Sequence, residues 1–306
     1  MRTSEREARD GHFPLEKYII PLVPDTGQNR TDIFGLPLDV TNLAGAVDAC
    51  RAAWRKPSRL RIITLNPLMV EAALKDENIA GLIRRADMVV ADGVGIVWAA
   101  RKLRGVDVPL IPGIELASAL LDECAASRHP VFLLGGEKGV AAEAAENLAA
   151  TKTNLRIVGT HHGYFPPEED SRIVELVNAS GAHLVLCGMG FPRQDEILEK
   201  IIAAGKPPPC YDPASGIICE PSETGASVGA RKGSDAGVTG DNSPIPPMIC
   251  IGVGGSLDVF AGRIKRTSPI WRKLRLEWLV RILSQPRKRL KGLATLARFW
   301  WRVTSA

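Results

Sequence analysis

The chain has no long hydrophobic run. No stretch reaches the ~18 uninterrupted apolar residues that a membrane-spanning helix needs, which excludes a helical membrane protein. The segment from Met1 to Phe13 is charged where a secretory leader would be apolar, so secretion is not expected. Cysteine is sparse and scattered. The six residues (Cys50, Cys124, Cys187, Cys210, Cys219 and Cys250) form no Cys-x-x-Cys, which argues against a zinc ribbon or a disulfide framework and for reduced thiols in a cytosolic chain. Aromatic residues make up only 5%. What remains is ordinary globular composition, 45% hydrophobic and 24% charged over 306 residues. That excludes a coiled coil, a collagen and a wholly disordered chain. The length is enough to bury a core without a disulfide or metal staple.

Charge is unevenly spread. The net charge is +5, from 39 Lys and Arg against 34 Asp and Glu. Residues 263–306 hold 13 of the basic residues and a single acid, Glu277, so they carry +12 and the rest carries −7. Four of the six tryptophans lie in the same segment. A basic tail on an acidic body points to an anionic partner, whether nucleic acid, a membrane surface or phosphates.

Residues 1–30 are polar and aperiodic, a loose arm with at most one short strand at Tyr18–Ile20. From residue 31 a regular pattern begins and runs to 262. Short apolar runs start at Leu60, Met88, Pro130, Leu155, His183 and Met248, each followed by a loop and then a helical period. Near-continuous apolar strands alternating with helices predict an α/β fold, a parallel sheet covered by helices on both faces. Residues 206–247 break the pattern. They are rich in Pro, Gly, Ser and Asp, and they read as a disordered insertion. After Gly262, Trp271, Leu274, Trp278, Leu279 and Ile282 follow helical spacing until Pro286 stops the helix. A second helix is expected from about 287. At about 100° per residue, Arg287, Lys291, Arg298 and Arg302 gather on one side. Leu293, Leu296, Ala297, Trp300 and Val303 occupy the other, so 263–306 reads as a basic amphipathic appendage. A chain ending near Arg263 is expected to keep its sheet.

In an open parallel sheet, ligands bind beyond the carboxyl ends of the strands. The unusual residues of this chain fall there. Thr64, Asn66 and Pro67 end one strand, and Asp92, Gly93 and Gly95 the next. Gly135 and Gly136 follow a third. Gly188, Gly190, Pro192, Arg193 and Gln194 follow a fourth, and Gly252, Gly254, Gly255 and Ser256 a fifth. Taken alone, Asn66-Pro67 is better read as a helix cap and first residue, and Asp92-Gly93 as a plain turn. Gly135-Gly136 and the Gly254 loop read equally as phosphate cradles or as tight crossovers. The Gly188–Gln194 segment favours function, because Arg193 and Gln194 offer fork-like donors at a helix start. His161 and His162 have no metal-spaced partner and receive no role. Two glycine loops invite a nicotinamide cofactor, but Arg193 and Leu257 stand where the third glycine would.

Together these residues resemble the WecG/TagA/CpsF family of glycosyltransferases. The run is Thr64, Asn66, Pro67; Ala91, Asp92, Gly93, Gly95; Leu134, Gly135, Gly136; Gly163, Tyr164, Phe165; Gly188, Gly190, Pro192, Gln194; Gly252, Val253, Gly254, Gly255; Glu277, Trp278, Arg281; and Gln285, Pro286, Arg287. The resemblance implies a Rossmann-like domain with a C-terminal membrane-binding appendage. It implies a cytoplasmic enzyme, peripheral to the inner face of the bacterial cell membrane, without metal or other cofactor. That enzyme inverts configuration as it moves a sugar from a UDP donor to a polyprenyl-diphosphate-linked acceptor. The sugar would be N-acetylmannosamine, its uronic acid, or of the glucuronic acid type. By the same resemblance Asp92 is the general base, Thr64 and Gln194 line the pocket, and Arg281 and Arg287 meet diphosphate. Three positions depart from the family pattern: Leu110 for Arg, Glu115 for Asp and Asp195 for Glu. The competing readings are a nucleotide-sugar epimerase or oxidoreductase and a basic-tailed nucleic-acid binder. The tail's apolar sector and tryptophans suit lipid better than a duplex groove, so no nucleic acid is expected. A homo-oligomer stays open.

Overall fold

The computed structural model describes residues 29–205, 210–212, 217–219, 246–264 and 286–306. The arm with Tyr18–Ile20, the helix expected around Trp271–Ile282, and Arg281 lie outside them. The described chain opens with β1 (Arg30–Ile33), β2 (Leu36–Asp39), α1 (Leu43–Trp54), β3 (Arg59–Leu65), α2 (Pro67–Ala73) and α3 (Glu77–Arg84). It continues through β4 (Met88–Ala91), α4 (Val94–Arg104), α5 (Gly113–Ser127), β5 (Pro130–Gly135), α6 (Val140–Thr151) and β6 (Arg156–His161). Then follow α7 (Asp170–Ala179), β7 (Leu184–Gly188), α8 (Arg193–Ala204), β8 (Cys210–Asp212), β9 (Ile217–Cys219), β10 (Met248–Gly252), α9 (Ser256–Phe260) and α10 (Pro286–Ser305).

Six strands form one sheet in the order β4-β3-β10-β7-β5-β6, and every pairing is parallel. These are the six apolar runs of the sequence. Alternation along each strand divides them between two cores. Ile62, Val90, Leu133, Leu186 and Ile251 face α1, α5, α6 and α9. On the other face, Ile63, Leu65 and Val89 meet α2 and α3, while Phe132, Val185 and Cys250 meet α7 and α8. Both faces of the inner strands are therefore dry, as a parallel sheet requires, while the edge strand β6 stays partly exposed. Two arginines of β3 enter the second face. Arg61 is 2% exposed and donates to the Leu82 carbonyl at 2.7 Å.

The β1–β2 hairpin is not foreseen in the sequence. Its strands are four residues each and turn through Phe34 and Gly35, both at positive φ (51° and 74°), as a two-residue hairpin loop needs. Within 206–247, β8 and β9 pair antiparallel where the sequence expects no regular structure. Apart from Pro246 and Pro247, the remainder of that insertion lies outside the described residues.

The C-terminal helix corrects the expected amphipathic appendage. α10 is a helix, but it packs on α2 and α4. Phe299 and Val303 are fully buried in the same core as Ile63 and Leu65. Of the expected apolar side, Val303 is buried, Ala297 is exposed, and Trp300 is 47% exposed while stacking on Trp98 at 4.0 Å. The physical reason is the partner. An isolated helix turns its arginines to water, whereas here the buried Glu71 draws Arg302 inward (3.0 Å) and Phe299 and Val303, one turn apart, follow it. Among the described residues no helix is long and apolar enough to cross a membrane.

Candidate active site

Because all six strands run parallel, Leu65, Ala91, Gly135, His161, Gly188 and Gly252 end at one edge. From β5 the chain turns outward to β6, and from β7 it turns back to β10. The crevice between β5 and β7 is thus a topological switch point, where ligands of such sheets bind. Backbones come unusually close here. A Cβ on Gly135 would lie 2.4 Å from the Gly188 carbonyl oxygen, and one on Gly188 would lie 2.6 Å from that of Gly254. Only glycine allows this approach. The Gly136 amide donates to the Gly188 carbonyl at 2.9 Å, and the Gly163 amide donates to that of Gly136 at 2.9 Å. Gly135, Gly136 and Gly188 therefore lock three strand ends together. Gly190 and Gly254 differ, since a side chain there would meet nothing within 4 Å. They border open space.

The two other expected positions sit on the neighbouring strand ends. Asp92 follows β4, half-buried, with its amide donating to the Leu65 carbonyl at 2.8 Å. Gly93 (φ 109°) then turns the chain into α4, its missing Cβ 3.7 Å from Pro67. Thr64 is 9% exposed and packs against the start of α5, its hydroxyl 3.1 Å from where a Gly113 Cβ would stand. Asn66 caps α2, its side-chain oxygen accepting from Leu68 and Met69 amides at 3.0 and 3.1 Å. The cap reading of Asn66 therefore holds in the structure. At about 4.8 Å per strand, Asp92 and the Gly188 loop stand roughly 14 Å apart across three spacings. That span suits an elongated ligand.

The segment expected to grip phosphate is engaged within the protein. Phe191-Pro192 is a cis peptide just before α8. The Arg193 guanidinium forks onto Asp170, with Nη1 donating at 2.8 Å, and lies 5.2 Å above the Phe165 ring. Lys200 donates to the same carboxylate at 2.7 Å. The Arg193 hydrogen bonds hold the Asp170 carboxyl below the usual range. Gln194 is 6% exposed, and its side-chain oxygen accepts from the Gly254 amide at 3.1 Å, tying α8 to the β10 loop. Arg287 lies in the first turn of α10.

Residues given no role in the sequence line an open cleft at this edge. Glu137, Lys138, His162 and Tyr164 surround about 610 Å³ beside the β5 and β6 ends. Tyr164 is 74% exposed, and the buried Nδ1 of His162 has no hydrogen-bond partner. The run from His161 to Phe165 was the available signal, but an exposed ring beside a histidine cannot be told from a surface turn without the fold. Among the described residues no three His, Cys, Asp or Glu side chains converge as a metal site.

Asp195, in the first turn of α8, is 1% exposed. Burial pushes its carboxyl from an ordinary 3.8 up to about 6, against the pull of Arg61. Between those values the folded chain holds a proton that the unfolded chain has released. Stability from this group is therefore full below pH ~4 and falls as pH rises to about 6. Asp195→Asn never ionises. Whatever its fixed offset, it should gain roughly 2–3 kcal/mol on the natural chain between pH 4 and pH 7.5 in denaturant titrations. A difference that stays constant over that range would refute this burial of charge.

An all-parallel sheet with glycine-rich loops converging at its switch point is the layout of proteins that handle phosphorylated ligands. The model of the glycosyl transferase WecG/TagA/CpsF family matches residues 31–209 and 239–306, and the chain belongs to that family. The unmatched stretch between them falls inside the expected insertion. Membership makes the chain a glycosyltransferase of cell-surface polysaccharide synthesis, with a nucleotide-sugar donor and a lipid-linked acceptor.

Proposed function

We propose that the chain is an inverting, UDP-sugar-dependent hexosyltransferase, acting on a polyprenyl-diphosphate-linked saccharide at the inner face of the cell membrane. The donor sugar is of the N-acetylmannosamine, N-acetylmannosaminuronic or glucuronic acid type. The observation that carries this reading is the placement of Asp92 on the same sheet edge as the open side of the switch-point crevice. The uridine diphosphate lies along the β5–β7 crevice near Gly190 and Gly254, with the base toward Tyr164 and His162. The sugar reaches toward Asp92. As the acceptor hydroxyl attacks the anomeric carbon, Asp92 takes its proton, and the bond to the UDP oxygen breaks on the opposite side. The departing diphosphate gathers charge, which open backbone amides and arginines from the tail, Arg281 and Arg287, stabilise. Arg193 and Gln194 act one layer back, holding the α8 start in place through Asp170 and Gly254. Leu110 replaces a family arginine and shifts donor preference.

Calorimetric titration tests the donor assignment. UDP is expected to bind and nicotinamide dinucleotides are not, whereas the reverse would favour the oxidoreductase reading. The membrane assignment rests on the +12 tail and on the exposed rings of Trp300 and Trp301, 47% and 59% accessible. Each basic residue near an anionic leaflet contributes about 1 kcal/mol, falling with salt. The full chain is expected to sediment with anionic liposomes at low salt and to release at high salt. Sedimentation with DNA but not with liposomes would replace lipid by nucleic acid as the tail's partner.

A further inference from the structure

The last helix packs against α2 and α4, the two helices that follow the Asn66 and Asp92 loops. Glu71 lies on α2, one turn beyond Pro67, and is 1% exposed. The Arg302 Nε stands 3.0 Å from one of its oxygens, and the Arg298 Nε stands 4.0 Å from the other. A carboxylate this buried is costly without a cation, so the pair fixes where α10 sits on α2. One helical turn before Val303, Phe299 enters the joint between α2 and α4. Gly95, in the first turn of α4, has so little room that a Cβ would lie 2.8 Å from Pro67 and 3.5 Å from the Phe299 ring. Trp300 adds a second hold on α4 by stacking on Trp98 at 4.0 Å. Pro67 follows Asn66, and Gly95 stands three residues after Asp92. The same joint therefore sets both strand-end loops.

We propose that α10 is a wedge whose residues Phe299 and Arg302 position the Asp92 and Asn66 loops for sugar transfer. This rests on the reading of Asp92 as the base, and it goes beyond a role for the tail in reaching the membrane. Close-packed interiors transmit such shifts, and displacement of a reacting group by about 1 Å is enough to cost 10²-fold in rate. Phe299 and Arg302 are positioning residues. They touch neither donor nor acceptor in this account.

The test uses the full chain as Arg302→Met and, separately, Phe299→Leu, each first shown by its melt to be folded at the assay temperature, with Arg302→Lys as the conservative control. Amide hydrogen exchange reads α10, residues 69–73 and residues 96–100, with the amides of β5 and β7 as the internal reference. Exchange in 69–73 and 96–100 is expected to rise together with that of α10 while β5 and β7 stay protected. In the same variants, assayed well below their melting temperatures, kcat is expected to fall about 10-fold or more with donor KM changed less than about 3-fold. Arg302→Lys should recover most of both. Loosening of α10 without change in 69–73 and 96–100, or unchanged kcat in a loosened variant, would overturn the proposal. Full protection of α10 in both variants would refute the latch itself. If the natural chain transfers no sugar while the exchange remains coupled, the functional reading fails and the mechanical coupling stands.

Discussion

Asp92→Asn is expected to lower turnover by about 10²-fold or more while leaving UDP affinity within a small factor, as loss of a general base does. The substitution keeps the size of the side chain and removes its ability to take a proton. The Asp92 amide bonds to the Leu65 carbonyl and Gly93 turns the chain into α4, and the substitution alters neither group. A fall in kcat with UDP affinity unchanged separates lost chemistry from a displaced loop. The check is steady-state kinetics with calorimetric UDP binding on the same preparations. Near-normal turnover would remove Asp92 as the base.

Truncation before α10 carries the second large effect. On sequence grounds a chain ending near Arg263 should keep its sheet, since the tail reads as an appendage. The structure changes that expectation. Removing α10 strips Phe299 and Val303 from a core they fully enter. Loss of one buried Phe side chain costs about 3–5 kcal/mol. It also uncovers the patch of α2 around Glu71 on which the helix sits and removes Arg302 from beside that carboxylate. Against a total stability of about 5–15 kcal/mol, the truncated chain should melt far lower or not fold cooperatively. Circular dichroism melts of the full and truncated chains decide this. A truncated chain that melts within a few degrees of the full one would show that α10 is a dispensable passenger.

What was legible in the sequence follows from periodicity. The inner sheet strands announce themselves because burial on both faces demands near-continuous apolar runs such as Val131 to Leu134 and Leu184 to Cys187. The strand-end loops are legible for the same reason, since a parallel sheet puts them on one edge. Pairings between distant residues are not legible. Nothing near Arg193 in the chain says that its fork meets Asp170, or that Gln194 will reach the Gly254 amide. Arg302 looks like one more solvated cation until the buried Glu71 is seen beside it. Gly135 and Gly188 look like ligand cradles and prove to be points of backbone contact, because the residue type that admits a phosphate also admits a neighbouring strand end. The hairpin of β1 and β2 escapes notice because strands of four residues carry too short a pattern to read.

The central claim is sugar transfer from UDP to a lipid-linked acceptor, and a donor screen tests it most directly. The full chain, in vesicles containing a polyprenyl-diphosphate-linked saccharide, is offered UDP-N-acetylmannosamine, its uronic acid, UDP-glucuronic acid and UDP-glucose in turn. The account predicts a lipid product lengthened by one sugar with inverted anomeric configuration, UDP released in equal amount, and loss of that product with Asp92→Asn. Release of no UDP with any donor, or transfer that survives Asp92→Asn undiminished, would contradict it.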